Sequence, residues 1–284
     1  MNRALQPPPA AMLEAVVRAA LAEDLGRAGD ITSQACIAPG ARLGATFAAR
    51  QAGVISGLDC ARLSMTVMDP AARFELLRHD GDTVAAGQPL ARIEGDAQGV
   101  LSAERTGLNL LGRLSGIATL TAEYVRAVEG TGARIADTRK TTPGLRALEK
   151  YAVRCGGGLN HRYGLDDAIL IKDNHVAACG GVGPALARAK AAAGHLVMIE
   201  VEVDSLEQLD EALPYAPNVV LLDNFSLADL REAVRRAAGR VRLEASGGVS
   251  LKTVRAIAET GVDVISVGAL THSAPALDVG LDCL

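Results

Sequence analysis

From residue 132 the chain alternates short apolar runs with helical patterns about every 20 to 25 residues, the rhythm of βα units. Apolar runs at 133–137, 168–171, 196–203, 219–222, 241–245 and 262–267 predict six strands. Helical patterns at 205–213, 226–238 and 250–259 each open on a serine, Ser205, Ser226 and Ser250, a residue type that caps helix N-termini. A further helix opens at Pro143 and ends at Cys155-Gly156-Gly157-Gly158.

Upstream the pattern differs. Residues 10–25 read as an amphipathic helix stopped by Gly26, and 30–33 as a turn. Weak alternation over 43–56 predicts a strand pair, followed by a helix at 57–67 and strands at 73–77 and 89–94. A long helix runs from Ser102 to about residue 129, broken or bent near 112–116 by Gly112 and Gly116. Residues 1–9 are expected to be loose. The predicted organisation is an N-terminal α+β, sandwich-like domain at 1–115 and an α/β domain at 116–273, with the tail 274–284 packing back on the first.

Composition narrows the function. The 284 residues carry a net charge of −4 and only 2% aromatics, so neither a basic nucleic-acid surface nor a base-stacking platform is present. Five scattered cysteines form no C-x-x-C pair, which indicates neither a zinc site nor a disulfide framework. No run approaches membrane-spanning length and the N-terminus is not a signal peptide, so the expected setting is cytoplasmic. The segment 81–95, GDTVAAGQPLARIEG, has the shape of biotinyl and lipoyl carrier hairpins. No lysine precedes Lys140, so it is read as structure.

The chemistry gathers at predicted strand ends, where open α/β sheets and barrels bind ligands. Arg139-Lys140 follows the first strand and Lys172 ends the second, with His161 and Arg162 on the loop between. These cations predict an anionic ligand. Arg146, Lys150 and Arg154, at spacing four, are assigned to an outer helix surface. Glu200 and Glu202 share one side of the third strand, Asp223 ends the fourth, and Ser246-Gly247-Gly248 and Gly268…His272 follow the last two. Glycine turns there predict a phosphate cradle.

Three stretches, D-T-R-K-T-T-P-G, C-G-G-G-x-N-H-R and L-I-K-D-N-H, resemble quinolinate phosphoribosyltransferases, the decarboxylating nicotinate-nucleotide pyrophosphorylases of NAD synthesis. The run A-E-R-T-G-L-N-L-L-G-R-L-S-G-I-A-T, with Arg105, extends the resemblance. A phosphoribosyltransferase of molybdenum metabolism shares the first stretch, but the other two favour the quinolinate enzyme. The resemblance implies an incomplete, open α/β barrel, which suits six strands better than a closed barrel of eight. It implies quinolinate and phosphoribosyl pyrophosphate as substrates, Mg²⁺ as cofactor, and a homodimer with shared sites. Catalytic roles fall to Lys140, Glu202, Asp223 and Lys172, and substrate contacts also to Arg105, Thr138, Arg139, His161, Arg162, Ser246, Gly247, Gly248, Gly268 and His272. Glu202 and Asp223 are the implied metal contacts. Two rival readings, a Schiff-base aldolase using Lys172 and a non-catalytic metabolite-binding protein, share the same cationic strand ends.

Overall fold

The computed structural model describes residues 5–283. Strands in chain order are β1 Arg42–Ala49, β2 Gly53–Val54, β3 Arg73–Leu76, β4 Thr83–Val84, β5 Pro89–Asp96, β6 Arg134–Ala136, β7 Ile169–Ile171, β8 Ile199–Val203, β9 Val219–Asp223, β10 Arg242–Ser246, β11 Val264–Ser266 and β12 Val279–Cys283. The chain divides into two units, each discontinuous: Met1–Ala122 with Thr141–Gly157 and Leu270–Leu284, and Glu123–Lys140 with Gly158–Ala269. No helix among the described residues is long and apolar enough to cross a membrane.

In the first unit β1, β3, β5 and β12 form an antiparallel sheet in the order β12-β1-β5-β3. The sequence expectation for 43–56 is corrected here: β1 and β2 do not pair with each other, because β2 pairs with β4 while β1 lies between β12 and β5. Asp30 opens a short helix, Ile31–Cys36, and not a turn; its carboxylate accepts the Thr32 and Ser33 N–H groups. The helix Ala97–Ala127 runs unbroken through Gly112 and Gly116. Those glycines serve packing, since a Cβ on Gly116 would stand 1.9 Å from the Pro275 carbonyl oxygen. Of the expected loose terminus, residues 1–4 lie outside the described residues, while Leu5 packs against a cluster of Val54, Ala118, Tyr151 and Cys155.

In the second unit β6 to β11 form a six-stranded parallel sheet in the order β6-β11-β10-β9-β8-β7. The ladder does not close, so the α/β barrel is open, with β6 and β7 at its edges. Register sorts the side chains. Glu202 pairs with Leu221, Glu244 with Leu221 and Val264, Ser246 with Asp223, and Ser266 with Ala136, so these positions share one face. The other face carries the buried Val201, Val203, Val220, Leu222, Leu243 and Ile265. Against it pack helices such as Val182–Ala192 and Leu206–Ala212 on β8 and Leu227–Ala237 on β10.

Ser205 and Ser226 cap their helices as expected. Ser250 does not: its N–H bonds Thr253 Oγ1 within a turn, and the helix is only Val254–Ala258. Two helices between β7 and β8, Asp173–Cys179 and Val182–Ala192, were absent from the expected pattern. Gly180-Gly181 divides them, and the alanine-rich composition gives little polar contrast to read.

Candidate functional site

The carboxyl ends of the six parallel strands surround a cavity of about 430 Å³. Thr138, Arg139 and Lys140 reach it from beyond β6, Lys172 from β7, Glu202 from β8, Asp223 from β9 and Ser246 from β10. His161 and Arg162 enter from the loop before β7, and Glu244 and Ser266 complete the walls. Thus the expected cations and carboxylates converge on one space. Gly247, Gly248 and Gly268 are not among its lining residues, and Arg105 and His272 belong to the first unit.

The cationic side is built from short local devices. Lys140 donates its main-chain N–H to Thr138 Oγ1 at 3.0 Å, which sets the turn after β6. Lys172 is the N-cap of Asp173–Cys179, and its N–H is held by His175 Nδ1 at 3.0 Å. Its ammonium lies 2.7 Å from Glu202 Oε2, across adjacent strands. Arg162 Nη1 donates to the Ala168 carbonyl at 3.2 Å, while its buried Nε has no hydrogen-bond partner among the described residues. Burial, and then the charge of Arg139, lower the Arg162 pKa from its ordinary value. The charge of a bound anion would oppose both effects.

Beneath the cations lies a buried acidic layer. Asp137 is fully buried; Oδ1 accepts the His161 N–H at 2.8 Å and Oδ2 the Asn160 amide at 2.7 Å. The His161 ring is bonded at both ends: Nδ1 accepts the Arg162 N–H at 2.8 Å, and Nε2 lies 2.9 Å from Glu200 Oε2 and 3.6 Å from Glu244 Oε1. Burial, and then the neighbouring Glu200, push the Glu244 carboxyl up to about 7, with His161 and Ser266 acting the other way. His161, Glu200 and Glu244 bring one donor atom each within 4.8 Å of one another. That ring nitrogen is committed to Glu200 at 2.9 Å, while Glu244 stands beside the pair at 3.6 Å without a hydrogen bond to the ring.

Ends of β9 and β10 interlock. Asn224 adopts a left-handed conformation, φ 57°, and donates its N–H to the Ser246 carbonyl at 2.9 Å. A Cβ on Gly247, φ 93°, would lie 2.1 Å from Asn224 Oδ1 and 2.9 Å from its nitrogen. Glycine at 247 is therefore required by this contact and by its φ. The five-residue helix Val254–Ala258 starts six residues beyond Gly248, so the expected turn leading straight into a helix N-terminus is not formed.

Lys150 corrects a further expectation: it is 2% exposed and not on an outer surface. Its helix, Arg146–Cys155, buries Leu148 to Val153 continuously, and spacing four fixes a shared face without saying where that face points. Sequence reasoning left Asp137, Asn160, Glu244 and Ser266 without a site role, and gave a role to Glu202 but none to Glu200. Their signal was positional. Asp137 opens the D-T-R-K stretch, and Glu244 stands two residues before Ser246, on the same strand face.

Sequence models of two domain families match the chain: quinolinate phosphoribosyl transferase, N-terminal domain, over residues 30–115, and its C-terminal domain over 117–282. A nicotinate-nucleotide pyrophosphorylase [carboxylating] of Mycobacterium leprae is 51% identical over 271 residues, 94% of this chain and 95% of that protein. The chloroplastic protein of the same name from Arabidopsis thaliana is 40% identical, covering 99% of this chain and 86% of its own length. The solved structure of the nicotinate-nucleotide pyrophosphorylase from Francisella tularensis superimposes with a TM-score of 0.94 at 39% identity, over all of both chains.

Proposed function

The chain belongs to the quinolinate phosphoribosyltransferase family, and from that membership we infer how its own residues carry out the family's reaction at the strand ends. Quinolinate and phosphoribosyl pyrophosphate give nicotinate mononucleotide, pyrophosphate and CO₂, a step in NAD biosynthesis. The carrying observation is the single cavity in which Arg139, Lys140, Arg162 and Lys172 face Glu202 and Asp223.

Quinolinate is a dianion, and Arg139, Arg162 and Lys172 hold its two carboxylates. The ring nitrogen attacks C1 of the ribose as the C1–O bond breaks and its electron pair leaves with pyrophosphate. Lys140 and Arg105 take up charge on that leaving group. Glu202 and Asp223 hold the ribose hydroxyls and stabilise the developing cation at C1. The ring nitrogen is then positive. It accepts the electron pair of the bond to the adjacent carboxylate, CO₂ departs, and a proton replaces it on carbon. Ser246, Gly247, Gly248, Gly268 and His272 are assigned to 5-phosphate contacts by the resemblance, and Thr138 to a substrate contact. No covalent enzyme intermediate is needed.

Glu202 and Asp223 suit Mg²⁺, because both are carboxylates lining the cavity and Mg²⁺ takes hard oxygen donors alongside substrate phosphates. Bound there with the donor, the ion would supply charge neutralisation at the leaving pyrophosphate. We also assign a two-fold homodimer in which Arg105 serves the neighbouring subunit's cavity. A cytoplasmic setting agrees with five free thiols.

Pyrophosphate release with quinolinate, nicotinate and nicotinamide tests the reading. Quinolinate alone should turn over, because a monoacid leaves buried cations without a counter-charge. Comparable turnover of nicotinate would sink it.

A further inference from the structure

His161 has no ring nitrogen to spare. A nitrogen that accepts a hydrogen bond carries no proton, so the Arg162 N–H at Nδ1 assigns the ring proton to Nε2, where Glu200 accepts it at 2.9 Å. The main chain on its other side is tied to Asp137. The result is a chain of contacts: Glu200 and Glu244 on two barrel strands, the imidazole, then the backbone of the residue whose guanidinium enters the cavity.

Two buried carboxylates around one imidazole are a costly way to fill a barrel, and an apolar set of like volume would pack at least as stably. Glu200 is 8% exposed and Glu244 5%, and each keeps an oxygen, Oε1, without a hydrogen-bond partner among the described residues. Such an arrangement is explained by what it orients. With its proton held at Nε2 by Glu200, the ring must present a lone pair at Nδ1. That lone pair fixes the Arg162 amide, and hence where the side chain leaves the loop. Asp167, accepting the Tyr163 and Gly164 N–H groups at 2.6 and 2.9 Å, sets the far end of the same loop.

We propose that Glu200 is a positioning residue for the acid substrate, acting through His161, which serves as a strut that aims Arg162 and not as a direct carboxylate donor. The proposal rests on the quinolinate reading above.

Asparagine and glutamine separate the two ring nitrogens. In His161→Asn, Oδ1 stands near the Nδ1 position and still accepts the Arg162 N–H, but nothing reaches Glu200. In His161→Gln, the amide reaches the Nε2 position and the Nδ1 acceptor is lost. The strut predicts that His161→Asn keeps the KM for quinolinate within about threefold, while His161→Gln raises it about tenfold or more. The KM for phosphoribosyl pyrophosphate should stay within about twofold in both. Glu200→Gln, which keeps an acceptor, should behave like wild type. Glu200→Met, which does not, should resemble His161→Gln and add nothing further in the His161→Asn background. Glutamine tolerated at 161 while asparagine is not would make His161 a direct ligand through Nε2 and overturn the proposal. Full additivity of the Glu200 and His161 changes would overturn it too. If Glu200→Met does not fold, the two His161 variants decide alone. Calorimetric titration of wild type with quinolinate separates the layers: binding there with the wrong variant order defeats the strut only, and no binding defeats the functional reading itself.

Discussion

Lys172 and Glu202 meet at 2.7 Å with the ammonium about half exposed, so the pair adds little to stability, on the order of 1 kcal/mol or less. Its value is geometric: a compact charge stands where a substrate carboxylate is proposed to arrive. Lys172→Arg keeps the charge and spreads it over a planar fork, and the same holds for Lys140→Arg. Each should lower kcat/KM by about tenfold or more, read by pyrophosphate release. An imine trapped at Lys172 by borohydride would instead support an aldolase.

Glu244 offers a test by pH. Its folded-state pKa of about 7 lies above the ordinary 4.5, under burial and Glu200, with His161 and Ser266 opposing and Asp137 adding to the rise. Between those values the folded chain keeps a proton that the unfolded chain releases, so this group's effect on stability worsens as pH rises through the window. The cost is fully present above about 7. Glutamine cannot ionise, so Glu244→Gln should shrink the fall in Tm between pH 5 and pH 8. An unchanged fall would show that Glu244 is not the titrating group. The cavity's cations were legible because Arg and Lys stand out at strand ends. The acidic layer was not, because a glutamate in a strand looks the same whether it meets solvent or an imidazole.

At the level of elements, alternation carried most of the information. The six parallel strands were legible from apolar runs, and E-V-E-V in β8 told which residues share a face. Helices Asp173–Cys179 and Val182–Ala192 were hidden by their composition, and the pairing of β1 with β12 by a separation of about 230 residues. The unbroken helix through Gly112 and Gly116 is the sharpest difference, since glycine there reflects a crossing segment and not a bend. Gly116→Ala would drive a methyl into the Pro275 carbonyl. We expect a loss of about 3 kcal/mol, against a small gain from helix propensity alone. Urea unfolding decides between them, and a more stable variant would show that the 275–277 segment yields freely.

For the whole molecule, the shared site is the testable claim. Arg105→Ala and Lys172→Ala should each be inactive. If Arg105 serves the partner's cavity, subunit exchange leaves mixed dimers with one doubly damaged site and one intact. Random mixing makes about half the dimers mixed, so activity should return to about a quarter of wild type. Exchange proven by mass, with no recovery, would place Arg105 in its own chain's site.

The pairing of β1 with β12 has a consequence in time. β5, the other neighbour of β1, is made soon after it, whereas Val279–Cys283 comes last among the strands. At translation speeds of about 5–20 residues per second, the roughly 230 residues between Ala49 and Val279 occupy on the order of 10–50 s. Throughout that interval a nascent chain on the ribosome offers one side of β1 as an open hydrogen-bonding edge, a template for any other strand nearby. Crowded polysomes are therefore where this sheet is most exposed to mispairing between neighbouring chains.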